Sequence, residues 1–171
     1  MVDRFLFLNV LFPNHAQLTR NHVDGGLGGA ALAKVMAEHG ARVLVLESET
    51  KFRDRIRGEV MMSWGVAEVK ELGLYDAIKA AGGRDVEWSE QTQERGATVR
   101  RHHPSTTAPM NARLNFYHPD MQESVLQTAT DAGAEVRRGA RVTDLKAGAV
   151  PSVVVDVNGR QEEFTARLVV G

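Results

Sequence analysis

The chain predicts an α/β fold in which a parallel sheet is flanked by helices and extended by a β-hairpin or meander layer. Three observations carry this: a glycine-rich turn leads into an Ala-rich segment and then into four consecutive apolar residues, Val43 to Leu46; helical periodicity recurs at two later places; and Asn158-Gly159 separates two alternating runs near residue 171. A continuous apolar run between a helix and a polar turn is the mark of a strand covered on both faces.

The elements follow in order. The apolar stretch Phe5 to Phe12 is preceded by Asp3 and Arg4 and contains Asn9, which argues against a signal peptide and leaves a strand or an irregular leader over 1–22. Ala30 to His39 predicts a short helix with Leu32, Val35 and Met36 as its apolar stripe, ended by Gly40. Arg42 to Glu47 is the strand after it. Ser63 is placed to cap a helix carrying Val66, Val69 and Leu72, and Leu74 to Ala81 reads as another, stopped by Gly82-Gly83.

Residues 84–113 lack helical period and contain short β-type pieces, so they read as an excursion from the main sheet toward a substrate region. Pro119 suits a helix start, with Met121, Val125, Leu126 and Ala129 on its buried face. Two short strands, Ala134 to Arg138 and Arg141 to Lys146, come next. The hairpin over 153–166 follows, and Leu168-Val169-Val170 resembles the opening of a further buried strand.

Composition narrows the function classes. With 21 Lys+Arg against 22 Asp+Glu, the net charge of −1 supplies no general attraction to nucleic acid. No apolar run is long enough for a membrane-spanning helix. The chain has no cysteine, which removes thiolate chemistry and cysteine-bound metals and fits a cytoplasmic location. His102 and His103 are adjacent and lack a partner at metal-ligand spacing, so no metal site is expected.

The chemistry-bearing constellation is Asp24-Gly25-Gly26-Leu27-Gly28-Gly29 before the first helix, with Glu47 twenty-one positions beyond Gly26. Glycines let backbone amides approach a diphosphate, the helix start offers unpaired N–H groups, and an acid about 20 residues on accepts the hydroxyls of an adenosine ribose. That carboxylate favours FAD or NAD over NADP. Asp24 stands where the fingerprint has its first glycine, and Thr19 to Val23 makes a poor buried strand.

These residues resemble the class A FAD-dependent aromatic hydroxylases and their epoxidase, halogenase and reductase relatives, from about Val23 to Gly171. Gly25 to Ala30 is similar to the flavin diphosphate loop, and Val43 to Glu47 to the strand ending in the ribose-binding acid. Arg55-Ile56-Arg57-Gly58-Glu59 resembles the family's Arg-rich segment. Gln122 matches the glutamine that reaches the flavin, and Leu168 to Gly171 resembles the lead-in to a Gly-Ala-Asp-Gly motif.

The resemblance implies a truncated Rossmann-like FAD/NAD(P)-binding domain over 23–171. Its cofactor-binding residues would be Gly25, Gly26, Gly28, Gly29, Glu47, Arg55, Arg57 and Gln122, with no catalytic residue of its own. It implies a monooxygenase that uses NAD(P)H and O2 to hydroxylate a small organic substrate. His118 stands where the family has an arginine, and the chain ends before the Asp-Gly motifs. On that pattern the chain alone is expected to bind FAD weakly or not at all and turn nothing over, and to self-associate through uncovered sheet at its last strand. A nicotinamide dehydrogenase or a noncatalytic interaction domain is the alternative reading.

Tyr75 and Lys79 have the Tyr-x-x-x-Lys spacing that lowers a tyrosine pKa in short-chain dehydrogenases, but too early in the chain for that role. Trp64 and Trp88 read as packing residues.

Overall fold

A computed structural model describes residues 5–8, 26–55, 59–92, 96 and 98–171, the first four by their backbone. In chain order the strands are β1 (Phe5–Leu8), β2 (Val43–Glu47), β3 (Val60–Met61), β4 (Arg84–Val86), β5 (Trp88–Thr92), β6 (Thr98–His102), β7 (Arg113–Asn115), β8 (Glu135–Arg138), β9 (Ala140–Lys146), β10 (Ser152–Val157) and β11 (Arg160–Val170). The helices are α1 (Leu27–Glu38), α2 (Ser63–Glu71), α3 (Tyr75–Ala80), α4 (His103–Thr106) and α5 (His118–Asp131). The chain divides into two compact units, residues 1–52 with 125–171 and residues 53–124.

The first unit is built on a six-stranded sheet ordered β8-β2-β1-β11-β10-β9. β8, β2, β1 and β11 run parallel, whereas β11, β10 and β9 form an antiparallel meander. This is the expected α/β class, a Rossmann-like parallel sheet with a hairpin layer. All five residues of β2 are buried, as its unbroken apolar run requires. Leu44 and Leu46 share one core with Ala140, Val142, Val153, Val155 and Ala166, while Val43 and Val45 alternate to the other face.

The strand ahead of the glycine turn is Phe5–Leu8, taken from the stretch read as a leader, and it pairs with β2 on one side and β11 on the other. A strand held between two neighbours needs an apolar run and no alternation, which Phe5–Leu8 supplies. The segment before the glycines, where sequence reading sought that strand, lies outside the described residues.

α1 packs against β2 and β1, and it begins within the glycines, earlier than the expected Ala30. Its buried face is Gly29, Ala30, Ala31 and Ala33, so the expected stripe of Leu32, Val35 and Met36 is not the one facing the sheet. Leu32 is exposed and the other two are half-buried. Small side chains let helix and sheet backbones approach closely, and that close approach outweighs the larger apolar area of the other face. Gly40 closes the helix at φ 78°, with its N–H donated to the Ala37 carbonyl and that of Ala41 to Met36.

The Asn158-Gly159 turn has φ 55° and 81°, the left-handed pair of a type I′ hairpin. The Gly159 N–H also donates to Asp156 Oδ1 at 3.0 Å. Leu168 to Val170 does not open another strand: β11 runs unbroken for eleven residues, pairing with β10 up to Thr165 and with β1 from Ala166. Its last residues are therefore paired with β1 on one side, and among the described residues no strand pairs with them on the other.

The second unit contains the sheet β3-β7-β4 and the hairpin β5-β6, all antiparallel. Leu114 on the middle strand is fully buried, as are Val66, Leu74 and Ile78 from α2, α3 and the turn between them. Ser63 is the first residue of α2 and does not cap it; Met62 occupies the cap position with no side-chain bond. Trp64 and Trp88 are exposed and not core residues. Trp88 instead lies with its ring 4.4 Å from that of His102 and under the Arg100 guanidinium.

α5 spans the division between the units. Its Met121, Val125, Leu126 and Ala129 are buried as its periodicity predicts. Among the described residues, no helix is long and apolar enough to cross a membrane.

Candidate functional site

α1 starts without a cap. Gly26 precedes it in extended backbone, no side chain among the described residues accepts from the first turn, and that turn holds no acidic residue. The first intrahelical bond runs from the Ala30 N–H to the Gly26 carbonyl at 3.0 Å, so the amides of Leu27, Gly28 and Gly29 have no acceptor within the helix. Gly28 is exposed, and a Cβ there would meet nothing within 4 Å. This end of the helix is open, donor-rich and at the positive pole of its dipole.

Topology brings Glu47 to the same edge. β1 and β2 are parallel neighbours joined across α1, so the helix N-terminus and the carboxyl ends of both strands lie at one end of the layer. Glu47 is the last residue of β2 and is fully buried, unlike an ordinary strand-end acid. Its Oε1 accepts the Glu49 N–H at 2.7 Å and faces the Ser48 hydroxyl at 3.4 Å. Those contacts fix the carboxylate and repay part of the cost of burying its charge.

Of the residues expected to hold a cofactor, Gly26, Gly28, Gly29 and Glu47 thus share one sheet edge in the first unit. Arg55 is exposed and Gln122 is buried in α5; both belong to the second unit. The burial of Gln122 departs from the exposed helix turn that its polar character suggests. Gly25 and Arg57, and with them Asp24, lie outside the described residues. An uncapped, acid-free glycine start and a buried, oriented carboxylate are the donor and acceptor that a dinucleotide's diphosphate and ribose require.

Comparison with known proteins decides the family. A family model described as FAD binding domain matches residues 23–171. This chain belongs to the FAD binding domain family. The match bears out the resemblance to class A FAD-dependent monooxygenases read from the motifs. Squalene epoxidase erg1 of Schizosaccharomyces pombe is 32% identical over 71 residues, which are 42% of this chain and 15% of that protein.

Among solved structures, a flavoprotein/dehydrogenase from Cytophaga hutchinsonii superposes with a TM-score of 0.76 at 20% identity, over 85% of this chain and 36% of its own. The p-nitrophenol 4-monooxygenase PnpA of Pseudomonas putida gives 0.72 at 18% identity, over 86% and 39%. At those identities the likeness is one of fold. The chain spans well under half the length of each of these relatives.

The Tyr75–Lys79 pair is occupied by a structural contact. The Tyr75 hydroxyl donates to Asp85 Oδ1 and Oδ2 at 2.7 and 2.8 Å, and Lys79 Nζ donates to Oδ2 at 2.7 Å. Burial, then the bond to Asp85 and its charge, push Tyr75 up to about 12, the reverse of an activated tyrosine. Burial alone would raise Asp85, but the bonds from Lys79 and Tyr75 hold its carboxyl below the ordinary range.

In an ultraviolet titration, the phenolate step that Tyr75→Phe removes is expected near pH 12. Because the folded-state value lies above the unfolded one, the stabilisation from this hydroxyl is complete below about pH 10 and lost as pH rises through about 12. A step near pH 10 in the wild-type chain, absent from Tyr75→Phe, would contradict the assignment.

Proposed function

We propose that this chain is the FAD-binding part of a flavoprotein monooxygenase that takes electrons from NAD(P)H and uses O2 to hydroxylate a small organic substrate. The observation that carries the reading is the uncapped glycine start of α1 at the same sheet edge as the buried Glu47 carboxylate, in a chain of the FAD binding domain family. The amides around Gly25, Gly26, Gly28 and Gly29 would face the diphosphate, and Glu47 would accept the ribose hydroxyls. Arg55 and Arg57 would approach the phosphates or the ring, and Gln122 would approach the flavin from α5.

When bound, FAD supplies the redox and oxygen chemistry, while the protein supplies position and electrostatics. The Glu47 carboxylate would repel a 2′-phosphate, which selects FAD over NADP at this edge. Titrating the ¹⁵N-labelled chain with FAD tests this directly. The amide signals of Gly28, Gly29 and Glu49 are expected to shift saturably, and NADPH at equal concentration is expected to leave them in place. FAD-dependent shifts confined to other residues would overturn the reading.

A further inference from the structure

A cavity of about 200 Å³ lies wholly within residues 53–124 and is lined by Met62, Trp64, Arg101, His103, Thr106 and Arg113 among others. None of the described residues lining it is acidic. Two guanidinium groups and an imidazole therefore face a space with no carboxylate to balance them, and no ion pair to Arg101 or Arg113 occurs among the described residues.

Two buried polar atoms at this cavity lack partners among the described residues: His103 Nε2 and Arg113 Nε. His103 is only 1% exposed, so its orphaned nitrogen carries the full cost of an unmade hydrogen bond. Burial, followed by the charges of Arg113, Arg101 and His102, holds this imidazole below its ordinary range; among the described residues every charge acting on it is positive. Arg101 is pinned by two bonds to Thr106, from Nε to Oγ1 at 2.9 Å and from Nη2 to the carbonyl at 3.1 Å. That leaves three of its five N–H groups, two on Nη1 and one on Nη2, for a ligand.

The nine-residue helix α2 also opens here, with Met62 at its cap position, no side-chain cap and no acid in its first turn. Its unpaired amides add to the same positive field. Beside these donors stand Met62 and Trp64, large apolar side chains exposed by 42% and 68%. An anion with an apolar body would cover them; a bare inorganic ion would leave them in water.

We propose that this cavity binds a small organic carboxylate, its oxygens held by Arg101 and Arg113 beside the start of α2 and its apolar body against Met62 and Trp64. Planar guanidinium forks match carboxylate geometry. The proposal is independent of the flavin reading, since it uses none of the residues assigned there to the cofactor.

The test is titration of the ¹⁵N-labelled full chain with benzoate, observing the two tryptophan indole signals and assigning Trp64 by Trp64→Phe. Saturable movement of the Trp64 signal is expected, with that of Trp88 unmoved and neutral benzamide without effect. Arg101→Gln, a change at an exposed side chain, is expected to weaken benzoate at least about tenfold with the spectrum otherwise folded. Absence of benzoate binding, equal binding of benzamide, an unaffected Arg101→Gln, or inorganic phosphate shifting these signals where benzoate does not would each overturn it. FAD shifts at Gly28 and Glu49 report on the other site, so the two readings fail separately.

Discussion

Glu47→Gln is expected to weaken FAD binding by at least about tenfold relative to the wild-type chain, because a hydrogen bond to a charged acceptor contributes about 1.5–3 kcal/mol. The amide keeps the shape of the side chain and still offers an oxygen to the Glu49 N–H, the 2.7 Å contact that fixes the carboxylate. What it removes is the negative charge and one acceptor for a ribose hydroxyl. The same change should narrow the preference against NADPH, since the repulsion toward a 2′-phosphate goes with the charge. Isothermal titration with FAD and NADPH on both chains measures it. Because Glu47 is fully buried, a purely structural role would instead lower the melting temperature and leave the affinity unchanged, so thermal unfolding belongs beside the titration.

Ala33→Leu is expected to destabilise the chain by about 1–3 kcal/mol, the usual cost of forcing a larger side chain into a packed contact. Ala33 is fully buried on the helix face turned to the sheet, and a leucine there would push α1 away from β2 and β1. For a chain of this size the melting temperature falls about 2–4 °C per kcal/mol. Leu32→Ala on the exposed side is expected to cost under about 1 kcal/mol. The opposite order, with Leu32 costly and Ala33 tolerant, would restore the apolar stripe that hydrophobicity alone suggests. Calorimetry or denaturant unfolding of the two variants separates the cases.

That contrast shows where sequence is a good guide and where it is not. β2 was legible because a strand buried on both faces leaves an unbroken run, and the type I′ turn because Asn158-Gly159 tolerates two left-handed residues in succession. α5 was legible from Pro119 and the spacing of Met121, Val125, Leu126 and Ala129. The face of α1 was not, because hydrophobicity rewards large residues whereas close packing of a helix on a sheet rewards small ones. A strand was one of two readings of the Phe5 stretch, but its place in the sheet was missed because four apolar residues, far from the glycines in sequence, carry no signal of which neighbours they will join.

The candidate site divides the same way. The spacing of Glu47 from the glycines was readable in one dimension, since a helix and a strand of ordinary length fix it. Arg101, His103 and Arg113 have no such spacing. They reach one cavity only because a hairpin, a short helix and a sheet strand fold back beside the start of α2, and their want of acidic partners is visible only in three dimensions.

The pairing of Phe5 with Ala166 has a consequence for biosynthesis. The middle of the large sheet joins residues 161 positions apart in sequence, so β1 leaves the ribosome long before the segment that covers its second side exists. During translation its backbone donors and acceptors on that side stay unclaimed, and closing so large a loop is slow. The nascent chain should therefore depend on chaperone protection until the residues of β11 emerge.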